Sequence, residues 1–512
     1  MTDSHDPLPS APSPADDLHA AVERTVFALR RRRPDLSGHV VLDTRQKFLL
    51  LFLLLLLVAG SVLNLLAALI LVNALAMIYY LILSLYKFFL IDLALASRKE
   101  IEVSPAELAA LRDDDLPVYS ILVPLYHEAQ VLDDLLASLA RLDYPHDKLD
   151  VLLLLESDDD ETRHALAART LPPFVRRVLV PQMPPRTKPK ACNVGLHLAR
   201  GRFLVIYDAE DRPDPDQLKK AVAAFGRVDP SVVCLQAKLN FYNPRQNLLT
   251  RLFTLEYSMW YDLFLPGLDY LSHPVPLGGT SNHFRTDVLR QLLGWDPYNV
   301  TEDCDLGVRL AAEGFHTRII DSTTWEEACS SLRFWVRQRS RWIKGYMQTY
   351  LVHSRRPLAT ARSLGLFGSL GFHLMVGATP ICLLINPIYW LLALGWVLFR
   401  SESVAGIFPF PVIVAALVSL FAANFVFIYA GLLAACRRRY YDLAPFALLM
   451  PFYWVLMSVG AWKGVLQLFR RPSFWEKTRH GLSAPSGLGS PCSTAALGCA
   501  PPNGVSETGE LR

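Results

Sequence analysis

The chain has 512 residues, 52% of them hydrophobic and only 19% charged, with a mean hydropathy of +0.25; that apolar excess excludes a disordered chain, a collagen-like fibre and an ordinary soluble enzyme. The 51 basic and 48 acidic residues nearly cancel, to +3, so nothing in the overall charge points to a nucleic acid. Eight dispersed cysteines, with no CxxC pair and no paired histidine spacing, argue against a zinc site or a disulfide framework. What remains is an integral membrane protein carrying soluble mass.

Residues 1–46 are polar, rich in Pro, Ser and Asp, and end in a basic cluster, Arg30 to Arg33. They read as a largely disordered cytoplasmic tail, with no removable signal peptide. From Phe48 to Tyr86 come 39 residues without Asp, Glu, Lys or Arg, about 58 Å as helix against a bilayer core of about 30 Å. Two spans are therefore expected, a hairpin over residues 47–97 with Gly60, Ser61, Asn64 and Asn73 as candidate turns. Arg45 and Lys47 before it, and Lys87, Arg98 and Lys99 after it, place both ends in the cytoplasm.

Over residues 98–331, apolar runs of strand length alternate with helical patterns: Tyr119–Leu125, Val151–Leu155, Arg177–Val180, Phe203–Tyr207 and Val232–Leu235. That alternation predicts a doubly wound α/β domain with a mainly parallel sheet, which binds ligands outside the carboxyl ends of its strands. Residues 332–362 read as an amphipathic interfacial helix region, and residues 363–470 as a second membrane bundle. Its charge-free runs are Ser363–Phe399, Ser403–Cys436 and Leu443–Trp462. The basic groups Arg437 to Arg439 and Arg470 with Arg471 both ask to be cytoplasmic, which one intervening span forbids. Pro445 and Pro451 would permit a re-entrant segment, so five or six spans are expected in all. Residues 471–512 read as a largely disordered tail.

Four polar clusters carry chemistry. Glu156-Ser157-Asp158-Asp159-Asp160 follows a strand, where a carboxylate accepts a hydrogen bond from a base imide or a ribose, or merely makes an acidic loop. Asp208-Ala209-Glu210-Asp211 also follows a strand and suits Mg²⁺ or Mn²⁺, which favour oxygen ligands, or else caps the next helix. Upstream, Lys188 and Lys190 are placed to neutralise a phosphate. Thr301-Glu302-Asp303 opens a helical pattern, so Thr301 is a candidate N-cap and Asp303 a candidate general base. Gln338, Arg341 and Trp342 occupy i, i+3 and i+4 of one helix face, where an Arg fork holds a pyrophosphate and a Trp plane stacks on a sugar. The blander reading sends Arg333, Arg337, Arg341 and Lys344 to lipid headgroups.

In that order, with Gln338-x-x-Arg341-Trp342 last, the clusters over roughly residues 45–480 resemble those of the membrane-embedded family 2 glycosyltransferases: cellulose, hyaluronan, chitin and curdlan synthases and related bacterial enzymes. The stretches 207–211 and Phe474-Trp475-Glu476-Lys477-Thr478 look most like bacterial cellulose synthase-like members. The resemblance implies a GT-A-like α/β catalytic domain inserted between α-helical transmembrane segments of the bacterial inner membrane. It implies an inverting hexosyltransferase that uses a UDP-sugar, UDP-glucose by default, to extend a β-glycan secreted with an envelope or periplasmic export partner. Single addition to a lipid acceptor is the alternative, and a nucleotide-sugar-binding transporter or receptor the distant third.

Carried over by motif, Asp158, Asp159, Lys190, Gln338 and Arg341 would bind the donor. Thr301, Glu302 and Trp342 would meet the acceptor, and Asp303 would be the catalytic base. Asp208 would hold Mg²⁺ or Mn²⁺ with Glu210 or Asp211, a choice left open because Asp-Ala-Glu-Asp departs from the family's usual Asp-x-Asp. The resemblance leaves no room for the family's C-terminal domain that binds a cyclic dinucleotide.

Overall fold

The computed structural model describes residues 23–97 and 99–476. The disorder expected of residues 1–22 and 477–512, and the side chain of Arg98, lie outside the described residues.

Eight strands form one mixed sheet in the order β3-β2-β1-β4-β7-β6-β8-β5: β1 Tyr119–Leu125, β2 Leu149–Glu156, β3 Val175–Val180, β4 Phe203–Ile206, β5 Arg212–Pro213, β6 Val232–Phe241, β7 Asn282–Arg285 and β8 His316–Glu326. The helices that matter below are, in chain order, α1 Thr44–Ser97, α2 Leu132–Ala140, α3 Asp160–Ala167, α4 Lys188–Leu198, α5 Gln217–Arg227, α6 Leu248–Met259, α7 Glu302–Ala312, α8 Leu332–His353, α9 Pro357–Phe372, α10 Ala378–Phe399, α11 Phe410–Arg437 and α12 Met450–Arg470.

Along β1 the side chains alternate between two cores. Ile121 and Val123 pack with Leu135 of α2 and Phe225 of α5, while Leu122 packs with Val194 and Leu196 of α4. Both faces of the sheet are therefore covered, which is why β1 and β2 read as unbroken apolar runs. β1 pairs in parallel with β2 on one side and β4 on the other. Its carboxyl end is thus the point where the connections diverge, and a crevice opens there.

The sheet is more mixed than expected. β7 runs antiparallel to β4 and β6, and β5 antiparallel to β8. β6 also continues past its apolar start through Gln236, Lys238 and Asn240, which stay buried. Each finds a partner there: Gln236 Oε1 accepts from Gly278 N–H at 2.7 Å, Lys238 Nζ pairs with Asp321 at 3.0 Å, and Asn240 Nδ2 donates to Ser258 at 3.0 Å.

Residues 23–46 are not the disordered segment expected of them. The guanidinium of Arg355 donates to the carbonyls of Pro34, Asp35, Ser37 and Val40. Arg30 donates to Tyr298 Oη at 2.7 Å, and Arg33 pairs with Glu313 at 3.1 Å. Two members of the basic cluster and one interior arginine thereby tie this segment to the α/β domain.

Among the described residues, four helices are long and apolar enough to cross a membrane: Thr44–Ala96, Pro357–Phe399, Phe410–Arg437 and Ala444–Arg470. The first breaks at Asn64 (φ −156°, ψ 94°), whose Oδ1 accepts from Ala67 N–H at 3.0 Å and so caps the helix that follows. Gly60, Ser61 and Asn73 remain helical. Before the break, Gln46 Nε2 donates to Leu351 O at 2.7 Å, on the domain side. Beyond it, Asn73 Nδ2 donates to Ile407 O at 3.0 Å, in the loop joining α10 to α11. Leu90 then returns to the domain, where its carbonyl abuts Gly267 so closely that no Cβ fits.

The two basic groups that conflicted in the sequence both rest on the α/β domain. Arg438 pairs with Asp262 at 2.5 Å; at the other end, the carbonyl of Arg471 accepts from Lys344 Nζ at 3.5 Å. Between them α12 lies alongside α8, with the rings of Trp335 and Tyr453 5.2 Å apart and Gly460 facing Arg339. A Cβ at Gly464 would stand 2.9 Å from Ser340 O. Gly464→Val should therefore force α8 and α12 apart and lower the melting temperature of the detergent-solubilised chain, at a cost of about 1–3 kcal/mol. Gly226→Ala, where a Cβ meets nothing within 4 Å, should leave it unchanged or slightly raised.

Candidate active site

At the crevice, β2 ends at Glu156 and the chain turns into α3. Asp159 caps that helix: Oδ1 accepts from Thr162 N–H at 3.1 Å and Oδ2 from His127 N–H at 2.5 Å. Burial alone would raise its pKa, but these hydrogen bonds hold the carboxyl below its ordinary range. Asp159 is thus committed to the turn. Asp158 instead pairs with Arg186 at 2.5 Å through one oxygen and keeps the other, Oδ1, buried without a hydrogen-bond partner.

The two lysines at the start of α4 diverge. Lys190 is fully buried and donates to Glu156 Oε2 at 2.7 Å, bracing the end of β2 away from the crevice. Lys188 reaches into it, bonded to an Asp208 carboxylate oxygen and to Gly279 O at 2.7 Å. Burial works against its charge, yet Asp208 and Glu302 hold its ammonium protonated well above the ordinary lysine range. Of the two lysines expected to neutralise a phosphate, Lys188 reaches the crevice and Lys190 does not.

After β4, Asp211 folds back so that its Oδ2 accepts from Asp208 N–H at 2.7 Å and from the Thr280 hydroxyl. Its Oδ1 is buried and unbonded. Burial first, then the charges of Asp208 and Glu210, push its pKa well up. Glu326, at the end of β8, is raised by burial and then by the same three acids. The sequence reading missed Glu326 because β8 has no apolar run to flag a strand end.

Thr301, Glu302 and Asp303 open α7 from the facing side. Thr301 makes no side-chain cap, and its Oγ1 is buried and unbonded. Asp303 Oδ1 accepts from Cys304 N–H at 2.7 Å, and Oδ2 lies 3.3 Å from where a Cβ of Gly279 would stand, so only glycine leaves this approach open. Burial lifts the Asp303 carboxyl to about 6, against the pull of the Cys304 N–H, Lys188 and Arg341. Burial and the neighbouring Asp303 raise Glu302 as well. Tyr261, a second missed residue, sits within electrostatic reach of Glu326, Asp303 and Asp211.

From α8, Arg341 faces Glu302, Asp303 and Asp208; burial lowers its pKa while those charges raise it. Its Nε and Gln338 Oε1 are buried and unbonded. Trp342 is held by Arg339, whose guanidinium lies 4.5 Å over the ring and is anchored by Glu256 and Tyr453. Arg341 stacks at 4.3 Å on Trp475, and Lys344 Nζ donates to Phe474 O at 2.8 Å. Arg337 pairs with Glu476 at 3.5 Å. Three of the four residues offered to lipid headgroups therefore face residues 471–476, which pack on the site instead of forming a disordered tail.

Among the described residues no group of three His, Cys, Asp or Glu side chains converges on a metal position, and Lys188 holds Asp208. The donor set nonetheless fits a hard cation: three carboxylates at one strand end, one with an unbonded buried oxygen.

The family model for glycosyltransferase like family 2 matches residues 117–345. The chain is 26% identical over 234 residues to the probable glycosyltransferase YdaM of Bacillus subtilis, covering 45% of this chain and 56% of that protein. It is 27% identical over 241 residues to the beta-monoglucosyldiacylglycerol synthase of Trichormus variabilis, covering 46% of this chain and 50% of that protein. The aligned region thus spans about half the length of these relatives. Among solved structures, the mannosyltransferase PcManGT from Pyrobaculum calidifontis, in complex with GDP-Man and Mn2+, matches with a TM-score of 0.50 at 20% identity, over 78% of this chain and 98% of that one. That likeness establishes a GT-A-like fold.

Were Asp303 to act as a base, its carboxyl, lifted to about 6, would have to be ionised, so kcat/KM for the donor should fall about tenfold per pH unit below pH 6 and level off above it. The pH profile of kcat/KM, which reports the unliganded enzyme, checks this.

Proposed function

We propose that this chain, whose residues 117–345 form a family 2 glycosyltransferase domain, is a membrane-embedded enzyme that moves a hexose from a UDP-sugar onto a hydroxyl of a lipid acceptor. One observation carries the reading: Asp208, Glu210 and Asp211 face Asp303 and Arg341 across Lys188 at the carboxyl ends of the strands. The lipid acceptor is favoured by the kinship to a glucosyldiacylglycerol synthase. Extension of a β-glycan is the second reading, favoured by Gln338-x-x-Arg341-Trp342 on one helix face.

Asp303 takes the proton of the acceptor hydroxyl as that oxygen attacks C1 of the sugar. The bond from C1 to the diphosphate oxygen breaks on the opposite face, UDP leaves with the bonding pair, and the configuration inverts. Arg341 and Lys188 lie where negative charge develops on the leaving diphosphate. Mg²⁺ or Mn²⁺, held by Asp208 with Glu210 or Asp211, would supply further neutralisation of that charge. The unbonded oxygen of Asp158 is the acceptor for the uracil imide, and Trp342 is the plane on which the acceptor sugar or headgroup rests.

In the inner membrane, with the α/β domain cytoplasmic, α1 would cross twice about its break at Asn64, α9 with α10 once and α11 once. The segment containing α12 would lie along α8 at the interface, because both of its flanks rest on the domain. Four crossings result, fewer than the sequence suggests. In intact cells a membrane-impermeant maleimide should label Ser403→Cys, in the α10–α11 loop, and leave Ser473→Cys unlabelled until the membrane is opened. Labelling of Ser473→Cys from outside would overturn the four-crossing arrangement.

The activity is tested by supplying labelled UDP-sugars, with Mg²⁺ or Mn²⁺, to inverted vesicles and separating lipid extract from polymer. Label in the lipid extract is expected; label in a glycanase-sensitive polymer would move the conclusion to the second reading. Asp303→Asn should lower kcat by about 10²–10⁴-fold and leave UDP binding nearly intact. Asp208→Ala should abolish metal-dependent UDP binding measured by calorimetry.

A further inference from the structure

A cavity of about 490 Å³ lies among the second half of α1, α10, α11 and the segment containing α12. It runs from Lys87 and Trp454, next to the α/β domain, to Phe408 in the loop beyond α10. Its wall on α10 extends from Thr379 to Trp396, about 26 Å at 1.5 Å per residue, long enough for a fatty acyl chain.

Two features say what it takes. Most of its polar side chains already bond within the protein, the buried Trp454 indole N–H being an exception. Tyr80 Oη donates to Cys382 O at 3.1 Å, Ser84 Oγ to Tyr80 O at 2.8 Å and Thr379 Oγ1 to Met375 O at 3.2 Å. Tyr389 Oη donates to Asn73 Oδ1 at 3.0 Å, Ser419 Oγ to Met77 O at 2.9 Å and Asn424 Nδ2 to Leu420 O at 2.7 Å. A glycan threaded here would find few partners for its many hydroxyls, at a cost for each one left unbonded. A hydrocarbon chain asks for none.

The second feature is Lys87. Its side chain lines the cavity at the domain end and is 7% exposed. Among the described residues no carboxylate lies within 4 Å of its ammonium; the faces of Phe427, at 4.7 Å, and Phe264, at 5.8 Å, are what it meets. A desolvated cation that has aromatic rings beside it, and Glu256 only at electrostatic range, is an expensive arrangement that a directly bonded anion would relieve. The cavity is thus cationic at one end and apolar along the rest, with the cation nearest the domain. That polarity is the one a lipid of the domain-side leaflet presents.

We propose that this cavity is a binding site for an anionic phospholipid of the surrounding bilayer, with the headgroup phosphate at Lys87 and one acyl chain lying toward Trp390, Trp396 and Phe408. The site rests on the membrane reading above and is independent of which acceptor the enzyme glycosylates.

The full chain, purified in mild detergent and offered equal phosphatidylglycerol and phosphatidylcholine, is examined by native mass spectrometry. One phosphatidylglycerol should be retained in preference to phosphatidylcholine. Lys87→Gln should weaken that retention about tenfold, Lys87→Arg should restore it, and Ala423→Trp, which fills the cavity, should abolish it. Equal retention of the two lipids, or retention indifferent to Lys87→Gln and Ala423→Trp, overturns the proposal, as does recovery of a glycan from the cavity. If the Lys87 variants do not fold, quenching of the native tryptophan fluorescence by dibrominated phosphatidylglycerol decides: quenching no stronger than by dibrominated phosphatidylcholine is again fatal. Failure of the membrane reading itself would look different, since the chain would then be recovered from cells without detergent.

Discussion

Everything at the crevice depends on an imbalance of charge. Asp208, Glu210, Asp211, Glu302, Asp303 and Glu326 converge from three parts of the chain, and Lys188 and Arg341 are the cations that face them. Burial raises the pKa of four of these acids, and for Asp211, Glu302 and Glu326 the neighbouring carboxylates raise it further. The arrangement persists because the surrounding fold over-determines it: Asp211 is pinned by Thr280 and the Asp208 N–H, and Asp303 by the Cys304 N–H. A site so short of positive charge is suited to a ligand that brings cations with it, and ill suited to a bare diphosphate.

The same shortage explains why the site is joined so firmly to the long apolar helices. Arg339 does not enter the crevice; it supports the ring of Trp342 from behind and is itself fixed by Glu256 on α6 and Tyr453 on α12. Lys344, one turn further along α8, is capped by the carbonyls of residues 471 and 474. Buried cations of this kind are costly unless paired, and these pairings tie α6, α12 and residues 471–476 to α8.

Much of this was legible in the sequence. The bounds of β1 match its apolar run, and the acidic clusters at 156–160 and 208–211 do lie at strand ends. Gln338, Arg341 and Trp342 share one face of α8, as their spacing requires. What was not legible was mostly a matter of partners. Lys188 and Lys190 sit two residues apart in the same helical turn, and only Glu156 and Asp208 decide which is a strut and which enters the crevice. β7 and β8 lack apolar runs because polar side chains such as His283 and Thr324 are satisfied by the distant Gln217. The order of residues 23–46 depends on Arg355, more than three hundred residues away in sequence. Local pattern carries no record of such pairings.

The way the two flanks close on the domain bears on modularity. Residues 23–43 satisfy Arg355 just past the end of α8, while α12 and residues 471–476 cover α8 from the other side. A fragment trimmed to the segment that matches the family would keep every strand and every acid of the crevice. It would strand Lys344 without the carbonyls that bond it and leave Arg339 with Glu256 but without Tyr453. The catalytic region is therefore not a cassette that could be excised or transplanted alone. Any chimaera would have to carry both flanks, or replace Lys344 with an apolar side chain.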